Sequence, residues 1–363
     1  MSIKSINNQL PKVTVCVPVR NGASTICRTL DSILAQDYPN FEIIVSDNCS
    51  IDETAKIVQK YSLRGVRYYL NPQLEAYGES NWNHILTLAN GPLIALYHAD
   101  DIYTPTMLRR QVEFLEAHLE TSAVFTMSQT IDEQDRSIRM GCFRLPKELR
   151  GRTRFEFPEF FNATLKYRTF VPVPTMMTRR SVLDAVGVFR WQMFASASDI
   201  DLYLRMARQW GPIGVVDEPL HKYRISSKQG STQINNNRTK LADFFSVIDA
   251  HLNDHEEKKI ALSQSLAFYE LFRSSNLLTC ALNLLTQGKK LEARSCLSEA
   301  LKRRNFVTAF KRPRFLLRLM IGVVLIISSY MGFGTFAGRQ VNRLSMHRKA
   351  WQRKLVKNAS YDL

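Results

Sequence analysis

Three short apolar stretches in the first hundred residues each run into a polar or acidic residue, and this repetition constrains the fold more than any other feature. Val13–Val19 runs into Arg20, Asn21 and Gly22. Phe41–Ser46 runs into Asp47, and Leu93–Tyr97 runs into His98, Ala99, Asp100 and Asp101. Helix-like stretches separate the three, so they are expected to lie parallel in one sheet with their C-terminal ends on one edge. Ligands of open α/β sheets bind at that edge, in the crevice outside the strand ends. Acidic positions at two of these ends, Asp47 and the Asp100/Asp101 pair, suit a ligand with a sugar or base to hydrogen-bond and a metal-bound phosphate.

The rest of the chain extends this alternation. Ala23–Gln36 carries Ile26, Leu30, Ile33 and Leu34 at helical spacing. Ser50 and Glu53 form a capping-box pattern for a helix to Tyr61. Val66–Leu70 is a strand and Gly78–Ala89 a helix. Thr104 and Pro105 read as the cap and first position of a helix through His118. Val124–Met127 is a strand, and 128–175 is less regular, suited to a lid or connector over the sheet edge. Met176–Thr178 is a strand, Ser181–Val186 a helix, Ser198–Gln209 a helix and Gly214–Asp217 a last strand. Ser226–Asn237 reads as a polar loop. From Thr239 to Lys302 the pattern is helical, with a hairpin over Leu277–Leu301. The expected fold is α/β, a doubly wound, mostly parallel, Rossmann-like sheet followed by a helical C-terminal region.

The net charge of +16 suggests a nucleic-acid binder until it is mapped. From Lys302 onward there are 14 Lys and Arg against Asp362 alone, +13 of the +16. The body is therefore nearly neutral and the tail strongly basic. Inside that tail, the 20 residues Leu319–Gly338 carry no charge, and about 20 apolar residues suffice to cross a bilayer as a helix. Four glycines and three hydroxyl residues weaken this stretch as a span, and basic clusters on both flanks oppose crossing. An interfacial or re-entrant segment keeps both clusters beside anionic headgroups, so the tail is read as membrane-associating, with no nucleic acid. Met1–Lys12 is polar, without the apolar segment of a signal peptide, and six scattered cysteines lack CxxC spacing. Both features suit a reducing cytosolic compartment, with neither a zinc site nor a disulfide framework.

With these pieces in order, the chain resembles the inverting, nucleotide-sugar-dependent glycosyltransferases of family 2, which have the GT-A fold. The resemblance covers about residues 12–235. It rests on Val15-Cys-Val-Pro-Val-Arg-Asn21, Glu42-Ile-Ile-Val-Ser-Asp-Asn-Cys-Ser-Ile-Asp-Glu-Thr54, His98-Ala-Asp-Asp-Ile102 and Ser198-Asp-Ile-Asp-Leu-Tyr-Leu-Arg205. It implies that Asp47 bonds the nucleobase in a pocket lined by Pro18, Val19 and Asn21, with Asn81 near the donor. It implies Mn2+ or Mg2+ held by Asp100, and Asp101 on the ribose or donor sugar, the two roles being exchangeable. Asp199 matches the catalytic base; Asp201, two residues on, is read as capping or bracing the helix. Arg224, Gln229 and Ser231 match a flexible loop closing over the donor phosphates, with Arg20 a second candidate for the diphosphate. Two departures stand out: His98 where many members carry a carboxylate, and Ser198 where many carry a glutamate.

The expected organisation is a catalytic domain over 1–235, a helical region over 236–310 and a basic, membrane-associating segment over 311–363. The expected function is transfer of a sugar, with inversion, from a nucleotide-sugar donor to a glycan or lipid-linked acceptor in surface polysaccharide or lipopolysaccharide biosynthesis, at the cytoplasmic face of the membrane as a peripheral or monotopic protein. A nucleotidyltransferase would open on a Gly-rich phosphate loop, whereas Val17–Gly22 has one glycine. His98 and Ser198 motivate a second alternative, a non-catalytic scaffold on a decayed transferase fold.

Overall fold

A computed structural model describes residues 10–73, 78–226, 238–310, 312–341 and 343. They fall into two compact units. The first comprises Met1–Ser137, Gly141–Phe160 and Thr169–Arg224, and the second Ile138–Met140, Phe161–Arg168 and Ile225–Leu363.

The first unit is built on β1 (Val13–Val19), β2 (Phe41–Asp47), β3 (Val66–Leu70) and β4 (Leu93–Leu96), which run parallel in the order β3-β2-β1-β4. The side chains of β1 and β4 are buried with little alternation, as expected of parallel strands covered on both faces, while β3 at the edge is largely open. The register pairs Val19 with Asp47 and Val13 with Leu93, so the strand ends share one edge. Helices α1 (Ile26–Leu34), α2 (Thr54–Gln59) and α3 (Glu79–Leu88) make the crossovers. Ile26, Leu30 and Ile33 of α1 are fully buried in the same core cluster as Val13, Val15 and Val17.

The sheet continues beyond β4 as a mixed half. After β5 (Ile102–Tyr103) and α4 (Met107–Ala117) come β6 (Ala123–Ile131), β7 (Ser137–Phe143), β8 (Arg154–Phe155), α5 (Phe157–Tyr167) and β9 (Met176–Arg179). Then follow α6 (Arg180–Val186), α7 (Trp191–Phe194), α8 (Ser198–Gln209) and β10 (Ile213–Arg224). The order runs on as β9-β6-β10-β5, with β9 antiparallel to both β4 and β6.

Several local readings shift. The hydroxyl of Ser50 does not cap α2; it accepts the Asn21 N–H at 2.8 Å, and α2 starts at Thr54 with its N–H on Asp52. Thr104 and Pro105 precede α4, whose N-cap position is Thr106: the Thr104 N–H bonds to Leu220 O, Pro105 O accepts from Asp37 N–H, and residues 105–106 form a turn closed by Met107 N–H on Thr104 O. β10 does not stop at Asp217. Pro219, which has no N–H to give a ladder, sits in a bulge, and the strand runs on to Arg224. Residues 128–175 hold β7, β8 and α5, and β6 reaches Ile131.

The second unit is helical, with α9 (Asp243–Asn253), α10 (His255–Ile260), α11 (Ser263–Thr286), α12 (Lys290–Ala300), α13 (Arg303–Ala309) and α14 (Pro313–Tyr330). Asp254 caps α10 by accepting from the Glu256 and Glu257 N–H groups. The hairpin between α11 and α12 turns at Gly288 with φ +80. Leu278, Leu285, Ala293, Leu297, Leu319 and Leu325 share one core.

Gly211 lies in the turn from α8 to β10, where a Cβ would collide with the Glu120 carbonyl oxygen. Gly211→Ala is expected to cost about 1–3 kcal/mol. A lower urea midpoint at unchanged slope would show it.

Candidate active site

At the end of β2, Asp47 is 1% exposed. Its Oδ1 accepts the Ser50 N–H at 2.9 Å and its Oδ2 the Tyr68 hydroxyl at 3.0 Å. Burial, and next the bond to Asp47, push the Tyr68 phenol up to about 12, so it stays a donor. Asn81 of α3 ties the neighbouring strands together. Its Oδ1 accepts from Ser46 Oγ (2.6 Å) and Asn71 Nδ2 (3.1 Å), and its Nδ2 donates to Ser46 O (2.8 Å). On the adjacent strand end, Val19 is buried, Pro18 half-buried and Asn21 exposed. Asn21 adopts φ +52, a left-handed turn that Asn tolerates, and its Oδ1 accepts the Ile51 N–H at 2.9 Å.

The turn after β4 carries His98, Asp100 and Asp101. Asp101 is 0% exposed and its carboxylate is held by β10. Oδ1 accepts the Arg224 N–H at 2.8 Å, and Oδ2 lies 3.0 Å from His221 Nε2. His221 Nδ1 lies 2.7 Å from Ser128 Oγ on β6. Burial lowers the His221 imidazole to about 3, so the ring is neutral. His221 Nε2 and Asp101 Oδ2 are buried side by side without forming a hydrogen bond. Arg224 is the last residue of β10 rather than part of a loop. Its Nε donates to Asp100 O (2.7 Å) and its Nη1 to Asp132 O (2.9 Å). Gln229 and Ser231 lie outside the described residues. Arg20 is exposed beside Asn21.

His98, Asp100 and Asp101 each offer a ligand atom within 4.8 Å of the others. His98 Nε2 is buried with no hydrogen-bond partner. Burial lowers the His98 pKa, leaving a neutral imidazole able to ligate. Burial, and next the charge of Asp101, raise Asp100 to about 6; burial raises Asp101 to about 7. Crowded carboxyls and an unpartnered imidazole nitrogen are a donor set that a divalent cation fits. Asp100 and His98 are the most available ligands, since one oxygen of Asp101 already accepts the Arg224 N–H.

Asp199 sits in the first turn of α8. Burial raises its carboxyl to about 7, and the nearby Glu79 charge adds to the shift. Asp201, two residues on, is fully buried between Arg190 Nε (2.8 Å) and Arg205 Nε (2.9 Å). It braces the helix, as the sequence suggested.

One turn of α3 acts on all three parts of this arrangement, two by contact and Asp199 through charge. Asn81 braces the β2 end, the Trp82 ring centroid lies 5.6 Å from that of His98, and Glu79 acts on Asp199. Sequence reasoning singled out Gly78 and Asn81 here, but neither Glu79 nor Trp82. It missed His221, Tyr68 and Ser128, whose roles follow from strand register rather than local pattern; Tyr103 on β5 pairs with His221 on β10, for example. A groove of about 630 Å³ is lined by Asn83, Gly187, Phe189, Arg190 and Met193 and by none of the predicted site residues.

Residues 14–187 match Glycosyl transferase family 2. Among curated proteins the chain is similar to the succinoglycan biosynthesis protein ExoO of Rhizobium meliloti, at 30% identity over 162 residues, 45% of each chain. Such relatives are matched over 41–65% of their own length. Among solved structures, S. aureus TarS 1–349 in complex with UDP-GlcNAc superposes with a TM-score of 0.57 at 18% identity, over 88% of this chain and 92% of that one. The mannosyltransferase PcManGT of Pyrobaculum calidifontis, in complex with GDP-Man and Mn2+, gives 0.54 at 16% identity over 88% of each. At these identities the likeness carries the fold.

The Asp199 carboxyl keeps its proton to about pH 7 in the folded chain, against an ordinary value of 3.8. Between those values the native state binds more protons than the unfolded one, so this group's contribution to stability is full below about pH 4 and falls as pH rises to about 7. Asp199→Asn stays neutral throughout. It is expected to be roughly 2–4 kcal/mol more stable than wild type at pH 8 and no more stable at pH 4, as read from paired urea melts.

Proposed function

Residues 14–187 belong to glycosyl transferase family 2, and from that premise we propose that the chain moves a sugar, with inversion, from a nucleotide-sugar donor to a glycan or lipid-linked glycan acceptor in surface polysaccharide or lipopolysaccharide assembly. The α3 turn carries this reading, because one rigid element bonds to the Asp47 strand end, sets Trp82 beside His98 and brings the Glu79 charge to bear on Asp199. The donor is UDP-linked or otherwise nucleotide-activated, and its base lies against Pro18, Val19, Asn21 and Asp47, with Asn81 holding that strand end in place.

Asp100, with His98 beside it, would hold Mn2+ or Mg2+; the imidazole favours Mn2+. When bound, the cation offsets the charge growing on the leaving nucleoside diphosphate. Asp101 and Arg224 serve the donor by fixing the peptide on which Asp100 stands. Asp199 takes the proton of the acceptor hydroxyl as its oxygen attacks the anomeric carbon. The new glycosidic bond forms on one face while the sugar–phosphate bond breaks on the other, its electron pair leaving with the diphosphate. A carboxyl near 7 suits a base working at neutral pH. We place the protein at the cytoplasmic face of the membrane, peripheral or monotopic, with its basic C-terminal segment toward anionic lipid.

Thermal-shift titration with UDP, GDP, CDP and dTDP, each with and without Mn2+, tests the donor site. One nucleotide is expected to raise Tm in a Mn2+-dependent way, and Asp100→Asn to abolish that dependence; no shift with any nucleotide overturns the reading. Asp199→Asn is expected to keep the shift and lower kcat about 10²–10⁴-fold. In wild type, kcat/KM should rise about tenfold per pH unit up to about 7 and then level.

A further inference from the structure

The outer face of α14 has no partner within the described residues. Leu317, Met320, Val324, Ile327 and Met331 recur at spacings of three and four, and all are exposed, Val324 by 60%. At 3.6 residues per turn they form one narrow ridge. Phe333 and Phe336, 64% and 65% exposed, extend the apolar surface past the turn at Gly332. The opposite face, Leu319, Gly322, Leu325 and Ser329, is buried.

That buried face is fitted closely to α11 and α12. A Cβ on Gly322 would stand 2.5 Å from Leu278 and 3.1 Å from Leu301, and one on Gly338 would stand 2.9 Å from Leu285. Glycine is therefore what lets the helix sit against its neighbours. Arg294 of α12, a charged residue, donates to Ser329 Oγ at 3.0 Å and lies over the Tyr330 ring at 4.2 Å. Pro313–Tyr330 is long and apolar enough to cross a bilayer by length and composition. A crossing helix would have to take these charge-bearing neighbours into the hydrocarbon or leave them, and either is costly. Charge names the occupant of the free face. Arg314 stands exposed at one end of the apolar surface, with Arg339 and Arg343 at the other. An apolar ridge flanked by cations matches the acyl boundary and headgroups of an anionic bilayer.

We infer that the Leu317–Met331 ridge of α14, with Phe333 and Phe336, is a monotopic insertion surface lying in the plane of an anionic membrane interface. This rests on the membrane-facing reading above and specifies which side chains enter the lipid; it does not depend on sugar-transfer chemistry.

The test uses the full chain with vesicles of phosphatidylcholine alone or mixed with phosphatidylglycerol. Wild type is expected to co-sediment with the mixed vesicles, weakly with the neutral ones, and to be released by alkaline carbonate. Joint Met320→Glu, Val324→Glu and Ile327→Glu substitution should weaken binding at least about tenfold, with Tm unchanged. Should that variant fail to fold, Val324→Trp supplies the answer, since its fluorescence should be quenched by brominated acyl chains. Absence of vesicle binding, binding indifferent to the glutamates, no quenching, or resistance to carbonate each overturns the proposal. So does a wild-type dimer that the glutamates dissolve, which would assign the ridge to a second copy. Failure of the glycosyltransferase reading would appear separately, as no nucleotide-dependent Tm shift in wild type or variant.

Discussion

The carboxylate of Asp101 is the interaction on which the candidate site depends. It is fully buried, and an isolated buried charge costs far more than a domain's net stability can absorb. The cost is offset by the backbone N–H of Arg224 and reduced because burial raises the carboxyl to about 7, while His221, anchored on Ser128, packs against it. Four segments are thereby pinned: the turn after β4, the end of β10, β6, and through the Arg224 guanidinium the Asp132 turn. Removing one member would strand another in a medium that punishes unpaired polar groups. Asp100, the next residue back, inherits a fixed backbone from this arrangement while its own carboxyl stays available.

The same logic separates bracing carboxylates from working ones. Asp201 and Asp101 are wholly enclosed and engaged by cationic or hydrogen-bonding partners. Burial raises Asp100, Asp101 and Asp199 alike, so what sets Asp100 and Asp199 apart is that they lack such partners. Raised carboxyls left without such partners mark places where the fold tolerates cost for the sake of chemistry.

Much of this was legible in the chain. The β1, β2 and β4 stretches are continuous apolar runs ending in polar residues, and each forms a strand in the parallel half; α8 begins and ends at Ser198 and Gln209 as its periodicity indicates. What was hidden depends on pairing across long separations. Nothing beside His221 announces that strand register will set it against Tyr103 and Ser128. The Glu218–Pro219 pair reads as a strand end, yet the ladder absorbs it as a bulge and continues. Ser50 has the look of a helix cap but finds a nearer donor in Asn21. The glycines of the C-terminal segment looked like flaws in a span; packing shows at least Gly322 and Gly338 to be points of close contact.

The separation between Asp101 and its partners also bears on how the molecule is made. More than a hundred residues lie between that carboxylate and Arg224, so the parallel half of the sheet leaves the ribosome well before the strand that completes its ligand edge. Pairings across such distances repay their loop-closure entropy late. A nascent chain can therefore assemble β1 through β4 while the turn at their tip still lacks its anchor, which comes only when β10 inserts between β6 and β5.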